Sequence, residues 1–409
     1  MKDVSVVIGA NYGDEGKGHL VDWLADEDTV VVRFNGGAQA GHTVVTPDGK
    51  RHVFHHLGSG TFRGASTFLS QHFITNPILF NLELQEFKGK FGIVPNIFVD
   101  GRCPVTTPYD MMLNQALERM RGKDRHGSCG VGINETVQRH EDIDEGRHRL
   151  TFSNLSDGQY VSQWMRRARA QYFPRRAEEH GLPVHELVWL WNDGIIDAFV
   201  ADCKKMWESC HGCMPWELVS TWKNKYVFEG AQGLQLDMFS RNFPHVTRSR
   251  TGWCNVGDLF GRNLVEQPLN IYYVTRAYMT RHGEGPFPSE TADTFVDETN
   301  VENPHQGKLR FGWLDVDAML SVIKTDTPFF ESGLSAHIVI TCMDQVDKDA
   351  IKVRLGGKDA EISLSILVGE LAPALQGGGK VFLSDGPTRN DVSVLLRNSA
   401  TKSSTEWQT

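Results

Sequence analysis

The sequence predicts an α/β fold: a mostly parallel central sheet with flanking helices and a helical insertion or cap. Three observations carry this. Short β-branched and apolar runs recur at residues 4–8, 29–34, 226–228, 270–275, 337–341 and 381–383, each ending at a glycine-rich or polar loop. Such continuous runs suit strands buried on both faces. The first run passes through a glycine-rich turn at 9–18 into a helical stretch at 19–24, a strand–loop–helix unit. Residues 150–220 are instead polar, rich in Arg and Trp, and mostly helical in pattern.

The remaining elements follow in order. The second run, 29–34, ends in Asn35, Gly36 and Gly37, and residues 52–57 read as a further strand. Residues 108–121 have a helical pattern and lead into a glycine-rich loop at 127–132. The expectation is a single domain over 1–409 with a mostly helical subregion at about 108–220. The Ser/Thr-rich tail after Arg397 is expected to fray. Ligands of open parallel sheets bind at the strand ends, so those loops are where function is sought.

Bulk properties exclude several classes. The chain has 409 residues, 40% hydrophobic and 23% charged, enough to bury a large core. A net charge of −9 argues against nucleic acid or an anionic membrane as partner, but leaves room for phosphates bound by backbone amides and a few placed cations. The opening MKDVSVVIGA reads as a buried strand, not a signal peptide, and no stretch approaches the length of a transmembrane helix. Seven scattered cysteines fit a reducing compartment, so the expected location is the cytoplasm. Cys203, Cys210, Cys213 and His211 suggest zinc, but a second ligand pair at the usual spacing is missing, and Trp207 and Trp216 point to ordinary packing.

The sharpest local signal is Gly13-Asp14-Glu15-Gly16-Lys17-Gly18 between a strand and a helix. Glycines let backbone N–H groups approach phosphate oxygens, the helix N-terminus adds positive potential, and Lys17 neutralises charge. The Walker pattern requires a glycine where Asn11 stands and a hydroxyl where Gly18 stands, so the fold is P-loop-related without the usual Mg²⁺-holding hydroxyl. Carboxylates in a phosphate cradle either hold metal and take a proton or cap the next helix. Both readings stay open for Asp14 and Glu15. The second loop, Gly36-Gly37-Ala38-Gln39-Ala40-Gly41-His42-Thr43, follows the second strand and is expected beside the first. His42 there can donate to an oxyanion formed in phosphoryl transfer, although a lone histidine is more often structural.

Together these loops resemble the adenylosuccinate synthetase family. Further matches follow in order: Phe228-Glu229-Gly230-Ala231-Gln232-Gly233, Pro244-His245-Val246-Thr247, Thr280-Arg281-His282-Gly283-Glu284-Gly285-Pro286-Phe287-Pro288, Gly312-Trp313-Leu314-Asp315 and Ser384-Asp385-Gly386-Pro387. The resemblance implies a ligase acting on a 6-oxopurine nucleoside monophosphate, a nucleoside triphosphate and L-aspartate. Asp14 would take the N1 proton and touch Mg²⁺, with the Gly41 carbonyl as a second ligand. The purine oxygen would attack the γ-phosphate, His42 would stabilise that phosphate, and the aspartate amine would displace the resulting 6-phosphoryl group. Gln232 would bond the O6/N1 region. Gly13–Gly18, Gly41, His42, Thr43, Arg310, Asp344, Ser384, Gly386 and Pro387 would hold the triphosphate. Gln39, Ala40, Ser128, Cys129 and Thr247 would hold the monophosphate, with Arg139 reaching into a neighbouring subunit's site in a homodimer. Gln306, Gly307, Lys308 and Arg310 match the aspartate loop, which is one residue shorter than the family's.

Departures cluster around the bases. Ala38-Gln39 stands for the family's His-Asn, Ser128-Cys129-Gly130 for Thr-Thr-Gly, and Thr341-Cys342-Met343-Asp344 for Thr-Lys-x-Asp, removing the lysine that packs on guanine. Phage members with altered base sites convert dGMP, some with ATP or dATP as donor. Many of them lose the first-loop aspartate, which this chain keeps as Asp14. The expectation is a dGMP-using ligase, with an IMP- and GTP-using synthetase as the alternative. A non-catalytic nucleotide-binding protein on the same fold and a P-loop kinase or GTPase are the competing classes.

Overall fold

The N-terminal run forms β1 (Asp3–Gly9), and its side chains alternate between two cores. Val4, Val6 and Ile8 face one side with Phe34, Phe228 and Tyr273, while Val7 faces the other with Leu20, Val21 and Val339. This is the period of two that an extended chain imposes. The structure, a computed structural model, describes residues 3–122, 127–142, 147–215, 217, 224–260, 268–297, 308–327, 333–397 and 407–408.

After β1 come helix α1 (Lys17–Leu24), β2 (Thr29–Arg33) and an antiparallel hairpin of β3 (His42–Val45) and β4 (Arg51–Phe54). The strand expected at 52–57 therefore belongs to this hairpin, outside the central sheet. β5 (Ser66–Leu69), α2 (Pro77–Phe91) and β6 (Ile97–Val99) follow. Asn76 caps α2 by accepting from the Ile78 and Leu79 amides, Pro77 opens it, and left-handed Gly92 closes it.

A helical stretch comes next: α3 (Pro108–Arg121), α4 (Ile133–Glu141), α5 (Gly158–Glu179) and α6 (Asp193–Ser209). It buries Tyr109, Leu113, Trp164, Met165, Phe173 and Phe199 in a core shared with α2, the β3–β4 hairpin and the β5–β6 edge of the sheet. Cys203 and Cys210 pack there, whereas Cys213 packs against the sheet's core. That places the cysteines of the zinc motif in two different packing environments.

The chain then returns to the sheet with β7 (His211–Gly212), β8 (Lys225–Glu229) and, beyond helix α7 (Cys254–Phe260), β9 (Leu269–Arg276). A second sheet is built from β10 (Tyr278–Arg281), β11 (Arg310–Asp315), β13 (Ile351–Leu355) and β14 (Lys358–Ile362). Helix α8 (Val316–Asp326), β12 (Leu334–Thr341), helix α9 (Leu364–Leu371), β15 (Val381–Ser384), β16 (Val392–Arg397) and β17 (Trp407–Gln408) complete the described chain. The central sheet runs β17-β16-β15-β12-β9-β1-β8-β2-β5-β6-β7, parallel from β15 to β7 and antiparallel only at β16 and β17. This is the expected α/β class. β1 lies between β8 and β9, so the loops that leave β1, β2, β8, β9 and β12 gather at one edge.

Candidate active site

That edge opens into a cleft of about 1200 Å³, lined by the loops after β1, β2, β8 and β12 and by residues of the helical stretch. Among the described residues, the three non-glycine residues with positive φ, Asp14 (59°), Gln232 (55°) and Cys342 (57°), all line it. Side chains disfavour this conformation, and clustering of such residues marks a site whose surroundings hold the backbone in place.

The first loop is pinned by its carbonyls. Arg276 Nε donates to the Asp14 carbonyl, Thr280 Oγ1 to that of Gly13 at 3.2 Å, and Thr341 Oγ1 to that of Glu15 at 2.8 Å. Glu15 folds back into the loop. Its Oε1 accepts from the Asn11 and Gly13 amides at 2.9 and 3.0 Å, and its Oε2 pairs with Lys17 Nζ at 2.7 Å. Helix α1 begins at left-handed Gly16 with no side-chain cap, so neither acid serves as its N-cap. The first-turn amides of α1 thus remain for a ligand. Asp14 sits half-buried in the cleft, its Oδ2 3.4 Å from His282 Nε2.

The Walker hydroxyl is missing for a steric reason. A Cβ on Gly18 would lie 2.8 Å from the His42 Cβ and 2.9 Å from Ser59 Oγ. The second loop has moved into the space where a Ser or Thr would stand. His42 is buried against Glu229, with Nδ1 2.5 Å from Oε1, and Glu229 also accepts from the Ser59 amide and hydroxyl. Burial alone would raise the Glu229 carboxyl, but Arg33, His42 and Ser59 hold it down at about 2. Burial pulls the His42 imidazole down to about 4 against the opposing pull of Glu229. The consistent state of the pair is a carboxylate accepting from a neutral imidazole's Nδ1–H, leaving Nε2 as the ring's other polar atom.

Asn35 clamps the loops after β2 and β8 together, donating to the Ala231 carbonyl at 3.0 Å and accepting from its amide at 2.7 Å. His55 Nδ1 lies 3.1 and 2.9 Å from the Ala38 and Ala40 carbonyls. Gly36 has φ 70°, and a Cβ there would meet Ala231 Cβ at 2.8 Å, Gln232 Oε1 at 3.1 Å and Gln39 Nε2 at 3.5 Å. The two amide side chains therefore end side by side. Gln39 Oε1, Gln39 Nε2 and Gln232 Oε1 are buried without a hydrogen-bond partner among the described residues.

The profile of the adenylosuccinate synthetase family matches residues 6–358. The chain belongs to this family. It is therefore a C–N bond-forming ligase of purine biosynthesis that binds nucleotides. The adenylosuccinate synthetase of Vibrio cholerae is 32% identical over 340 residues, 79% of this chain and 74% of that one. The Teredinibacter turnerae enzyme is 30% identical over 370 residues, 87% and 80% of the two chains. A fully ligated adenylosuccinate synthetase from Plasmodium falciparum shares the fold with TM-score 0.69 and 18% identity, covering 96% of this chain and 99% of its own. So does the succinoaminodeoxyadenylate synthetase of cyanophage S-2L, solved with dGMP and with dATP as energy donor, at TM-score 0.59 and 12% identity over 96% and 95%. Among the described residues no helix is long and apolar enough to cross a membrane.

In this synthetase-family cleft the structure gathers residues 13–18, Gln39 to Thr43, Ser128, Cys129, Gln232, Thr247, Asp344, Ser384, Gly386 and Pro387. Asn114 Nδ2 donates to Ser128 Oγ at 3.0 Å, and Glu118 accepts from the Gly127 amide at 3.0 Å. Burial raises the Cys129 thiol to about 11, so it stays protonated. Arg139 is held by partners within its own chain. It is 1% exposed and held by both Asp110 oxygens (3.0 and 2.9 Å) and by the His148 and Val105 carbonyls (2.7 Å each). Its guanidinium also lies over Trp164, 4.9 Å from the ring centroid.

Arg310 does not line the cleft. It is bidentate on Glu290 and donates to the Gly285 carbonyl at 2.9 Å, bracing the 283–285 loop from behind. Lys308 is exposed and does not line the cleft either, and Gln306 and Gly307 lie outside the described residues. Sequence reasoning missed Arg276, His282, Asn35, His55 and His19. His282 lies inside a matched motif and Arg276 four residues before it, but only the folded chain brings both to Asp14.

Proposed function

We propose that the chain joins L-aspartate to C6 of dGMP, with a nucleoside triphosphate as phosphoryl donor, forming N6-succino-2-amino-2′-deoxyadenylate. The observation that carries this reading is the set of amide atoms left unpartnered among the described residues, Gln39 Oε1 and Nε2 and Gln232 Oε1, in the cleft that Asp14 also lines. Buried polar atoms without partners are costly unless a ligand completes them. The guanine edge offers an acceptor at O6 and donors at N1 and the 2-amino group. A hypoxanthine edge lacks the last donor and would leave one more acceptor here unfilled.

Asp14 removes the N1 proton, and O6 attacks the γ-phosphorus as the nucleoside diphosphate leaves. Charge arriving on the phosphoryl group favours the imidazolium form of His42, which then donates from both nitrogens, to Glu229 and to the phosphoryl oxygen. The aspartate amine adds at C6, the phosphate departs, and the amine's proton is lost. The first-turn amides of α1 and Lys17, released from Glu15, bind the donor phosphates. The Asp14 carboxylate and the Gly41 carbonyl are hard oxygen ligands, and both residues line the cleft. They would hold Mg²⁺ together with the phosphates, the arrangement this ion favours over an all-protein cage. When bound, the ion supplies charge neutralisation along the phosphate chain.

The names of the curated relatives support a second reading, IMP with GTP. Loss of the lysine at Cys342 favours ATP or dATP over GTP as donor. We further propose a homodimer, on the family resemblance, with Arg139 serving its own subunit. The test is a matrix of purified protein, Mg²⁺ and L-aspartate with IMP, GMP, dIMP and dGMP against GTP, ATP and dATP. Highest kcat/KM with dGMP supports the proposal. A wide margin for IMP with GTP replaces it by the second reading. Nucleotide binding without any phosphate release returns the non-catalytic class.

A further inference from the structure

His19, in the first turn of α1, is buried and lines the cleft, yet no motif of the family resemblance includes it. Its ring bridges the loop after β15. Nδ1 lies 3.1 Å from the Pro387 carbonyl oxygen and Nε2 3.0 Å from Ser384 Oγ. The same loop bridges to the β3–β4 hairpin through Thr388 and Val45. One imidazole thus ties the helix that follows the phosphate loop to the loop after β15, which lines the cleft together with Asp344.

The tautomer follows from the partners. A carbonyl oxygen has only lone pairs, so Nδ1 must carry the proton that meets Pro387. Burial lowers the imidazole's proton affinity, outweighing the pull of the Pro387 carbonyl and of Asp22 and Asp391, so the ring is neutral and Nε2 bears a lone pair. The Ser384 hydroxyl must then donate to Nε2. It cannot also donate to the Gly386 carbonyl, 3.0 Å away, because it has one hydrogen. The remaining capacity of Ser384 Oγ is as an acceptor.

We propose that His19 is a specificity-determining positioning residue for the phosphoryl donor: by orienting the Ser384 hydroxyl it fixes that oxygen as an acceptor for an exocyclic amino group of the donor's purine base. Donors with such an amine, ATP and dATP at C6 or GTP at C2, are favoured over amine-free counterparts. The inference rests on the reading that the triphosphate's nucleoside lies between Asp344 and Pro387. It does not depend on which monophosphate is the acceptor.

The test pairs a change in the protein with a change in the ligand. Dissociation constants are measured by calorimetry, with Mg²⁺, for ATP against purine riboside triphosphate and GTP against ITP. The proteins are the wild type, His19→Leu and His19→Gln. In at least one pair the wild type is expected to bind the amine-bearing donor roughly five- to tenfold more tightly, the worth of one hydrogen bond. In His19→Leu that ratio should fall below about twofold while the amine-free donor keeps its affinity. Glutamine can donate to Pro387 and accept from Ser384, so His19→Gln should restore part of the ratio. A wild type indifferent to the amine in both pairs overturns the proposal. So does a His19→Leu protein that weakens amine-bearing and amine-free donors alike, which is what a purely structural role produces. Because the readout is binding, amine discrimination without ligase turnover would sink the ligase reading and leave this one standing.

Discussion

Gly18 and His42 touch: the helix that follows the phosphate loop packs its second residue against the Cβ and backbone of His42, with no room for a further Cβ between them. The P-loop relationship and the departure from it therefore have one cause. A Walker enzyme uses this position for a hydroxyl on Mg²⁺, whereas here the space belongs to His42 and Ser59. Gly18→Ser, which restores the Walker hydroxyl, should accordingly impair the enzyme. Overpacking of about 1–3 kcal/mol displaces His42, and kcat is expected to fall roughly ten- to a hundredfold with the fold intact by circular dichroism. Unchanged kcat would mean that the helix and the second loop separate freely in solution.

Asp14 and His42 carry the chemistry in the proposed mechanism, so Asp14→Ala and His42→Ala should each lower kcat by about 10²–10⁴ without lowering the melting temperature greatly. Glu229→Gln probes the layer behind. The amide can accept from Nδ1 but does not stabilise an imidazolium, so kcat should drop while the KM for the monophosphate holds. Single-turnover phosphate release from each variant reports the loss, and full activity in Asp14→Ala or His42→Ala removes that residue from the mechanism.

Much of this site was legible because it is made of short, contiguous loops at strand ends. The Gly13–Gly18 turn, the Gly41-His42 pair and Gln232 all lie in the cleft where the sequence placed them. What the sequence hid was pairing. Nothing local shows that Glu15 occupies the loop's own amides, that Arg276 holds the Asp14 carbonyl from 262 residues away, or that His19 meets Pro387 across 368. The second sheet was missed for another reason. A strand such as Lys358–Ile362 is polar and largely exposed, so it lacks the apolar run that marked the central strands.

Arg139 is the sharpest case of hidden pairing, and it makes its own prediction. With Asp110 fully buried and bidentate on the guanidinium, Arg139→Gln leaves an uncompensated carboxylate in the helical core. Such a break costs about 3–5 kcal/mol, read as a lower denaturant midpoint, and adding Asp110→Asn should recover part of it. A residue donated to a neighbour behaves differently: mixing Arg139→Gln with Asp14→Ala subunits would regenerate active sites. We expect no such complementation, and activity well above that of the separate variants would restore the shared-site arrangement.

Asp326 offers a test of the fold's pH dependence away from the cleft. At the end of α8 it accepts from the Trp253 amide at 2.8 Å and the Tyr273 hydroxyl at 3.0 Å. Burial raises its carboxyl to about 6, against the stabilising pull of those two donors. Because the folded value lies above the unfolded one, the native state holds a proton that the unfolded chain releases between about pH 4 and 6. Stability from this group is fully present below pH 4 and is lost as pH rises to about 6, by on the order of 2–3 kcal/mol. Asp326→Asn keeps an acceptor for Trp253 but does not titrate. Unfolding measured from pH 4.5 to 7.5 should therefore show the wild type losing ground to the variant up to about pH 6 and a constant gap above it. A gap independent of pH throughout would place the Asp326 carboxyl at its ordinary value.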